Sequence, residues 1–246
     1  MSERKPLEGH VILVTGASRG IGYASAVQLA QAGAHIIAIA RTQGGLEDLD
    51  DAVKSAGSEA TLVPMDLKTQ HEGLDQLSAI IHERWGRLDG LFGNAGMLGD
   101  IMPAQQIDPK NFDGIFAVNM TANYRLIRAM DPLLRSAPAG RALFMTSGVA
   151  KSHRAYWSAY AASKAALEAY VSCWAKEIDI TPVRANLLNP GAVRTAMRAK
   201  AMPGEDGSKL PNPSDVAALV VDMLSPDYQL NDQIVNFRET SYFTPK

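Results

Sequence analysis

Cysteine is almost absent from the 246-residue chain: Cys173 stands alone, so no disulfide can form within it, and an oxidising compartment offers it no gain in stability. Its place in the apolar stretch 171–175 predicts a buried helical thiol, with no nearby cation in sequence to make it a nucleophile. Long hydrophobic runs are absent too. No stretch approaches the roughly 18 apolar residues of a membrane span, and residues 1–10 carry charges on both sides of Pro6 where a secretion signal would be apolar. Neither sign of charge is in excess: 24 Lys and Arg stand against 26 Asp and Glu, for a net charge of -2 and a pI near 6.2. That balance gives no electrostatic case for a nucleic-acid or anionic-membrane partner. Internal repeats and low-complexity tracts are missing as well. These absences lead to the expectation of a cytoplasmic protein with no membrane or nucleic-acid partner and no metal, built as one domain over residues 1–246.

What is present is an ordinary globular composition, 46% hydrophobic and 20% charged, able to fill a core without staples. Apolar, β-branched runs at 10–15, 35–40, 60–64, 88–93, 141–147, 183–189 and 233–237 alternate with segments of helical period at 21–32, 45–56, 70–85, 112–134, 158–178 and 214–224. Such alternation predicts an α/β fold, with a parallel sheet of about seven strands covered by helices on both faces. Ser214, before Asp215 and Val216, is placed to cap the last helix. The stretch 202–213, dense in Gly, Pro and polar residues, marks the mobile part of a lid at about 194–213.

The first strand runs into Thr15-Gly16-Ala17-Ser18-Arg19-Gly20-Ile21-Gly22 and then a helix. A strand, a glycine-rich turn and a helix amino terminus aim backbone N–H groups and the positive end of a helix dipole at a phosphate. At the end of the second strand, NAD-specific domains usually place an acid that accepts from the adenosine ribose. This chain has Arg41 there, which with Arg19 suits a 2'-phosphate through charge-assisted hydrogen bonds, and NADP(H) is the expected cofactor.

Tyr160 and Lys164 stand four apart near the start of the helix at 158–178, on one face. A neighbouring ammonium favours the phenolate, so Lys164 is expected to lower the Tyr160 pKa and fit the phenol for proton transfer. Ser147, at the end of the fifth strand, is placed to hold a carbonyl oxygen against that phenol. Asn119 lies inside the predicted helix 112–134, either as a satisfied core amide or as a group that holds a water against Lys164.

With these motifs the chain resembles the short-chain dehydrogenase/reductase family over residues 8 to about 225. The resemblance is carried by the turn 15–22, Asp66, Asn94-Ala95-Gly96, Asn119, Ser147, the pair Tyr160 and Lys164, and Asn189-Pro190-Gly191 leading to Thr195. It implies a Rossmann-like, doubly wound domain. In it Ser147 orients the substrate, Tyr160 transfers the proton, Lys164 lowers the tyrosine pKa and binds the nicotinamide ribose, and Asn119 completes a water relay. It further implies that Gly16, Ser18, Arg19, Gly20, Ile21 and Gly22 hold the pyrophosphate, and that Asp66 and Leu67 meet adenine. Asn94, Ala95 and Gly96 would line the cofactor, with Pro190, Gly191, Val193 and Thr195 at its nicotinamide end. The family often carries a second asparagine where this chain has Gly93, and many members end in an Asp-Gly-Gly strand that is absent here.

The same placement puts Met97, Val149, His153, Trp157 and Met197 around the reacting hydroxyls, mostly apolar walls suited to a small, fairly apolar ketone, aldehyde or secondary alcohol. Two other functions compete with this one: a reductase of 3-oxoacyl groups presented by a carrier protein, with Arg125, Arg128 or Lys176 as docking charges, and a non-catalytic NADP(H) sensor or scaffold. Small residues at Ala161, Ala165, Ala169 and Ser172 predict close helix packing across a two-fold axis, and so a homodimer or homotetramer.

Overall fold

Strands of a parallel sheet are covered on both faces, which is why these run almost wholly apolar instead of alternating. The computed structural model describes residues 5–243. In chain order the elements are β1 (Val11–Thr15), α1 (Gly20–Gln31), β2 (His35–Ala40), α2 (Gln43–Ser55), β3 (Ala60–Pro64), α3 (Gly73–Trp85) and β4 (Gly90–Gly93). There follow α4 (Pro109–Phe116), a π-helical turn (Ala117–Thr121), α5 (Ala122–Arg135), β5 (Arg141–Met145), α6 (Val149–Ser152) and α7 (Ser158–Glu177). The chain then adds β6 (Arg184–Asn189), α8 (Ala196–Ala201), α9 (Pro213–Met223) and β7 (Ile234–Asn236).

All seven strands pair in parallel, in the order β3-β2-β1-β4-β5-β6-β7. The chain winds outward from β1 to β3, then returns to lay β4 against the free side of β1. This is the Rossmann-like, doubly wound sheet, and its winding reverses beside β1, where the carboxyl ends of the strands leave a crevice. Leu13, Ile37, Leu91 and Phe144 pack on one face against α3, α5 and α7. Ile12, Val14, Phe92 and Leu188 pack on the other against α1, α2 and α9.

Four local expectations need correction. The helix expected over 112–134 is two helices joined by the π turn; α4 starts earlier, at Pro109, because Asp108 caps it by accepting from Lys110 N at 2.8 Å and Asn111 N at 3.2 Å. Asn212, not Ser214, caps α9: Pro213 takes the first helical position, and Asp215 accepts from Asn212 N at 2.8 Å. Cys173 is exposed, not buried. The line of small side chains on α7 is also rotated from the expected stripe: Ala161 is buried, while Ala162, Ala169 and Cys173 face outward.

The segment 194–213 contains a helix, α8, whose 6 residues are too few to show a helical period. Its two ends are joined by Arg194 N donating to Pro211 O at 2.9 Å. Within it, Arg198 forks onto the Glu205 carboxylate with two bonds of 2.6 Å. Lys200 reaches out of it to Gly99 O, 3.1 Å, and to Asp100, 3.4 Å, in the loop after β4.

α1 lies unusually close to the strand ends. A Cβ at Gly22 would run into the Gly16 carbonyl oxygen and stand 2.5 Å from Asn94 Nδ2. Asn94 is itself fixed, donating from Nδ2 to Thr15 O at 2.9 Å, while Thr15 Oγ1 accepts from the N–H groups of Asn94 and Ala95, both at 3.0 Å. Neither neighbour can yield, so Gly22→Ala is expected to destabilise the fold by about 2–3 kcal/mol through overpacking, read as a Tm lower by roughly 5–10 °C in a thermal melt.

Candidate active site

The carboxyl end of β5 delivers the catalytic candidates to α7. The strand stops at Met145, two residues before its predicted end, and Ser147 sits in the turn that follows. Lys164 is buried, and its Nζ donates to the Met145 carbonyl at 2.7 Å. One helical turn earlier, the Tyr160 phenol is hydrogen-bonded to the Ser147 hydroxyl. The three side chains that the sequence assigned to one site stand together here.

The electrostatics differ from expectation. Tyr160 keeps part of its surface open to the cleft, yet burial of its hydroxyl pushes the phenol up to about 12, with the Ser147 hydrogen bond as the opposing influence. Lys164 does not lower it here. Its ammonium lies 5.9 Å from the centre of the tyrosine ring, held by a strand carbonyl, and burial brings the lysine itself down to about 8. Desolvation outweighs the attraction that residue spacing alone suggested.

Asn119 is fully buried in the π turn, and its amide is satisfied. Oδ1 accepts from Met97 N at 2.8 Å, and Nδ2 donates to Met97 O and to Ser163 Oγ, both at 2.9 Å. Its carbonyl accepts from Asn123 Nδ2 at 2.8 Å. These bonds clamp the loop after β4 to α7 and account for the wide turn, as such bulges often mark functional sites. They also explain the departure at Gly93, where a side chain would meet Asn123 Oδ1 at 2.7 Å and the Phe144 ring. A gap remains beside the clamp: a Cβ at Gly96 would lie 3.6 Å from Asn119 Oδ1 and 3.8 Å from Lys164 Nζ.

At the other end of the crevice, α1 begins after Arg19 with no side-chain cap and no acid in its first turn, leaving its N–H groups free for an anion. Gly16, Gly20 and Gly22 keep that approach clear, and half-buried Ser18 packs against Gly45 at the start of α2. The residues fit a dinucleotide pyrophosphate. Arg19 and Arg41 are exposed beside it and make no ion pair with a described residue. Asp66 Oδ1 accepts from Lys68 N at 2.9 Å, while the Leu67 and Val193 side chains are spent on the core. Thr195 caps α8 and would touch a Cβ at Gly20 at 3.6 Å, so the base of the 194–213 segment rests over the glycine turn. Asn189, which the sequence offered only as part of a tripeptide, joins the turns: its Oδ1 accepts from Gly148 N and Gly191 N, both at 3.1 Å. Pro190 is half-buried between them.

The expected substrate walls are partly assembled. Trp157 is buried with its ring edge-on to Tyr160 at 6.1 Å and the Arg154 guanidinium 5.7 Å away. Met97 and Val149 are half-buried nearby in sequence to the clamp and to Ser147. His153 leaves α6 in a left-handed conformation with its side chain exposed, and Met197 is exposed on α8. The three proposed docking charges are engaged: Arg125 and Arg128 stand 3.8 and 3.7 Å from Asp75, and Lys176 stands 3.6 Å from Asp232. Among the described residues no group of His, Cys, Asp or Glu is arranged to hold a metal ion, and no helix is long and apolar enough to cross a membrane.

Comparison with known proteins points the same way. The family model described as short chain dehydrogenase matches residues 10–206. The uncharacterized oxidoreductase YciK of Escherichia coli (strain K12) is 38% identical over 223 residues, covering 90% of this chain and 88% of that protein. The 3-oxoacyl-(acyl-carrier-protein) reductase FabG of Vibrio harveyi is 30% identical over 229 residues, covering 90% and 92%. A solved short chain dehydrogenase from Escherichia coli CFT073, complexed with NADPH, superposes with a TM-score of 0.91 at 36% identity, over 96% of this chain and 99% of that one.

The buried lysine carries a stability consequence. Its ordinary value of 10.5 falls to about 8 in the folded chain. Between the two the unfolded chain holds a proton that the folded chain has lost, so stability from this group rises with pH across that window. Below it the fold bears the whole cost of the buried charge. Lys164→Met is therefore expected to stabilise the unliganded protein at pH 7 by about 1–3 kcal/mol and to remove that rise, which thermal melts at a series of pH values will reveal.

Proposed function

Because the chain belongs to the short chain dehydrogenase family, we propose that this oxidoreductase uses NADP(H) in preference to NAD(H). Its substrate would be a small, fairly apolar molecule with a carbonyl or secondary alcohol. The observation that carries the reading is the Ser147–Tyr160 hydrogen bond with buried Lys164 one turn along the same helix. NADP(H), held in this crevice, would supply the hydride exchange at the substrate carbon. Ser147 donates to the substrate oxygen and holds it at the phenol. Tyr160, neutral at pH 7 since burial holds it near 12, delivers a proton to that oxygen in reduction and recovers it in oxidation. Lys164 binds the nicotinamide ribose, and the gap at Gly96 is where a water would join it to Asn119. Gly16, Ser18, Arg19, Gly20, Ile21 and Gly22 hold the pyrophosphate, Asp66 and Leu67 the adenine, and Asn94 to Gly96 with Pro190, Gly191, Val193 and Thr195 the remainder.

The preference for NADP(H) is supported by two exposed guanidinium groups, Arg19 and Arg41, that pair with no described residue, where no acid directly follows β2, and by the NADPH bound in the structural neighbour. The substrate walls are Met97, Val149, His153, Trp157 and Met197, with 194–213 as the lid over them. A carrier-presented 3-oxoacyl substrate is the second reading, favoured by the likeness to FabG; the pairing of Arg125, Arg128 and Lys176 with local carboxylates weighs against it. Assembly into a homodimer or homotetramer is supported by an apolar groove of about 470 Å³ between α4 and the start of α7, whose wall includes exposed Phe112. A cytoplasmic location fits the lone cysteine.

NADPH is expected to bind about 10-fold or more tighter than NADH, the size of one charge-assisted hydrogen bond. Arg41→Asp should invert the order, and equal affinities in the unaltered protein, measured by fluorescence titration, would sink the assignment. Tyr160→Phe should keep NADPH binding and lose turnover by about 10²- to 10⁴-fold on any substrate found in a screen of NADPH absorbance. Near-full activity of that variant would overturn the mechanism.

A further inference from the structure

Three successive residues at the end of β5 each grip one turn of α7. The Met145 carbonyl accepts from Lys164 Nζ at 2.7 Å, and the Ser147 hydroxyl is hydrogen-bonded to the Tyr160 phenol. Between them Thr146, itself buried, donates from Oγ1 to Glu168 Oε1 at 2.7 Å. Tyr160, Lys164 and Glu168 follow at four-residue steps, so they share one face of the helix. The first two are assigned to the reaction above, whereas Glu168 has no role in it.

A half-buried carboxylate on the inner face of a helix needs a reason, and its neighbour supplies one. Lys164 is a buried ammonium, and such a charge persists only where it is paired and hydrogen-bonded. Among the described residues, the other groups recorded against it are neutral: the Met145 carbonyl that ends β5, the Gly96 backbone in the loop after β4, and the Tyr160 ring on its own helix. Glu168 lies one turn further along the same helix face, held at the same strand end by Thr146, and a carboxylate so placed favours the lysine's charged form. A side chain free to rotate would swing toward water and lose that effect; the Thr146 hydrogen bond pins it against the strand end.

We propose that Glu168 is a positioning residue for the reaction: pinned by Thr146, its carboxylate keeps Lys164 charged and in register with Tyr160. The inference rests on the catalytic reading of Tyr160 and Lys164. It assigns Thr146 and Glu168 a coupled task, with the hydroxyl fixing the carboxylate and the carboxylate balancing the ammonium. Thr146 and Glu168 act on the chemistry only through Lys164.

The test needs no substrate for its first readout. The full chain is labelled with ε-¹³C lysine, and the Lys164 resonance is identified as the one that vanishes in Lys164→Met and followed against pH. Glu168→Gln keeps an oxygen for Thr146 but removes the charge, and it should lower the Lys164 midpoint by about one pH unit or more. Thr146→Val, which leaves the carboxylate in place but unpinned, should lower it by less, and Thr146→Ser should restore it. Should Glu168→Gln misfold, the Thr146 pair still decides. With NADPH and a reducible substrate, the alkaline loss of turnover should move down by the same interval. A Lys164 midpoint unmoved in both Glu168→Gln and Thr146→Val overturns the proposal and leaves Glu168 as a tie between helix and strand. Full activity of Tyr160→Phe would sink the reading of the reaction instead, without altering the titration, so the two failures are distinguishable.

Discussion

A lysine ammonium held in the interior, against the last carbonyl of a central strand, is the constraint around which the rest is arranged. Burying it is costly unless its surroundings are polar and fixed. The fold meets that demand by ending β5 early, so that the Met145 carbonyl faces a helix instead of continuing the ladder to its predicted end. α7 must then run along the strand end in one register, which brings its tyrosine to Ser147. The Asn119 clamp, through Ser163, fixes the same helix from the other side. The glycine turn and the Ser147–Tyr160 pair thus come to one edge of the sheet as a consequence of where the strands stop.

Much of this was legible in the sequence, because the signals are local. β2 and β3 span their predicted residues, since each is a short apolar run between turn residues. The glycine turn was legible for a related reason: Gly22 excludes even a methyl group, so its identity reports the closeness of α1 to the strands directly. Tyr160 and Lys164 could be paired by helix spacing alone.

What stayed hidden depends on partners distant in sequence. The π turn at 117–121 follows from Asn119 bonding across 22 residues to Met97 and 44 to Ser163, and no periodicity encodes that. Spacing promised that Lys164 would lower the Tyr160 pKa; how deeply the pair is buried decides otherwise. Cys173 looked buried because its neighbours Val171 and Trp174 are, while its own position points outward. Asn123, four residues after Asn119, was the one clamp partner that helix spacing made findable.

The segment from 194 to 213 is a flap on a single seam. Its ends are stitched to each other at Arg194 and Pro211, its base rests on the glycine turn at Gly20, and the Arg198–Glu205 fork stiffens it. Lys200, at the far side, reaches Gly99 and Asp100 in the loop after β4. An exposed contact of this kind is worth about 1 kcal/mol or less, a factor of about five between fastened and loose. Salt that screens such a pair therefore weakens this tie to the loop after β4, while the Arg194–Pro211 seam and buried Leu210 are untouched by it.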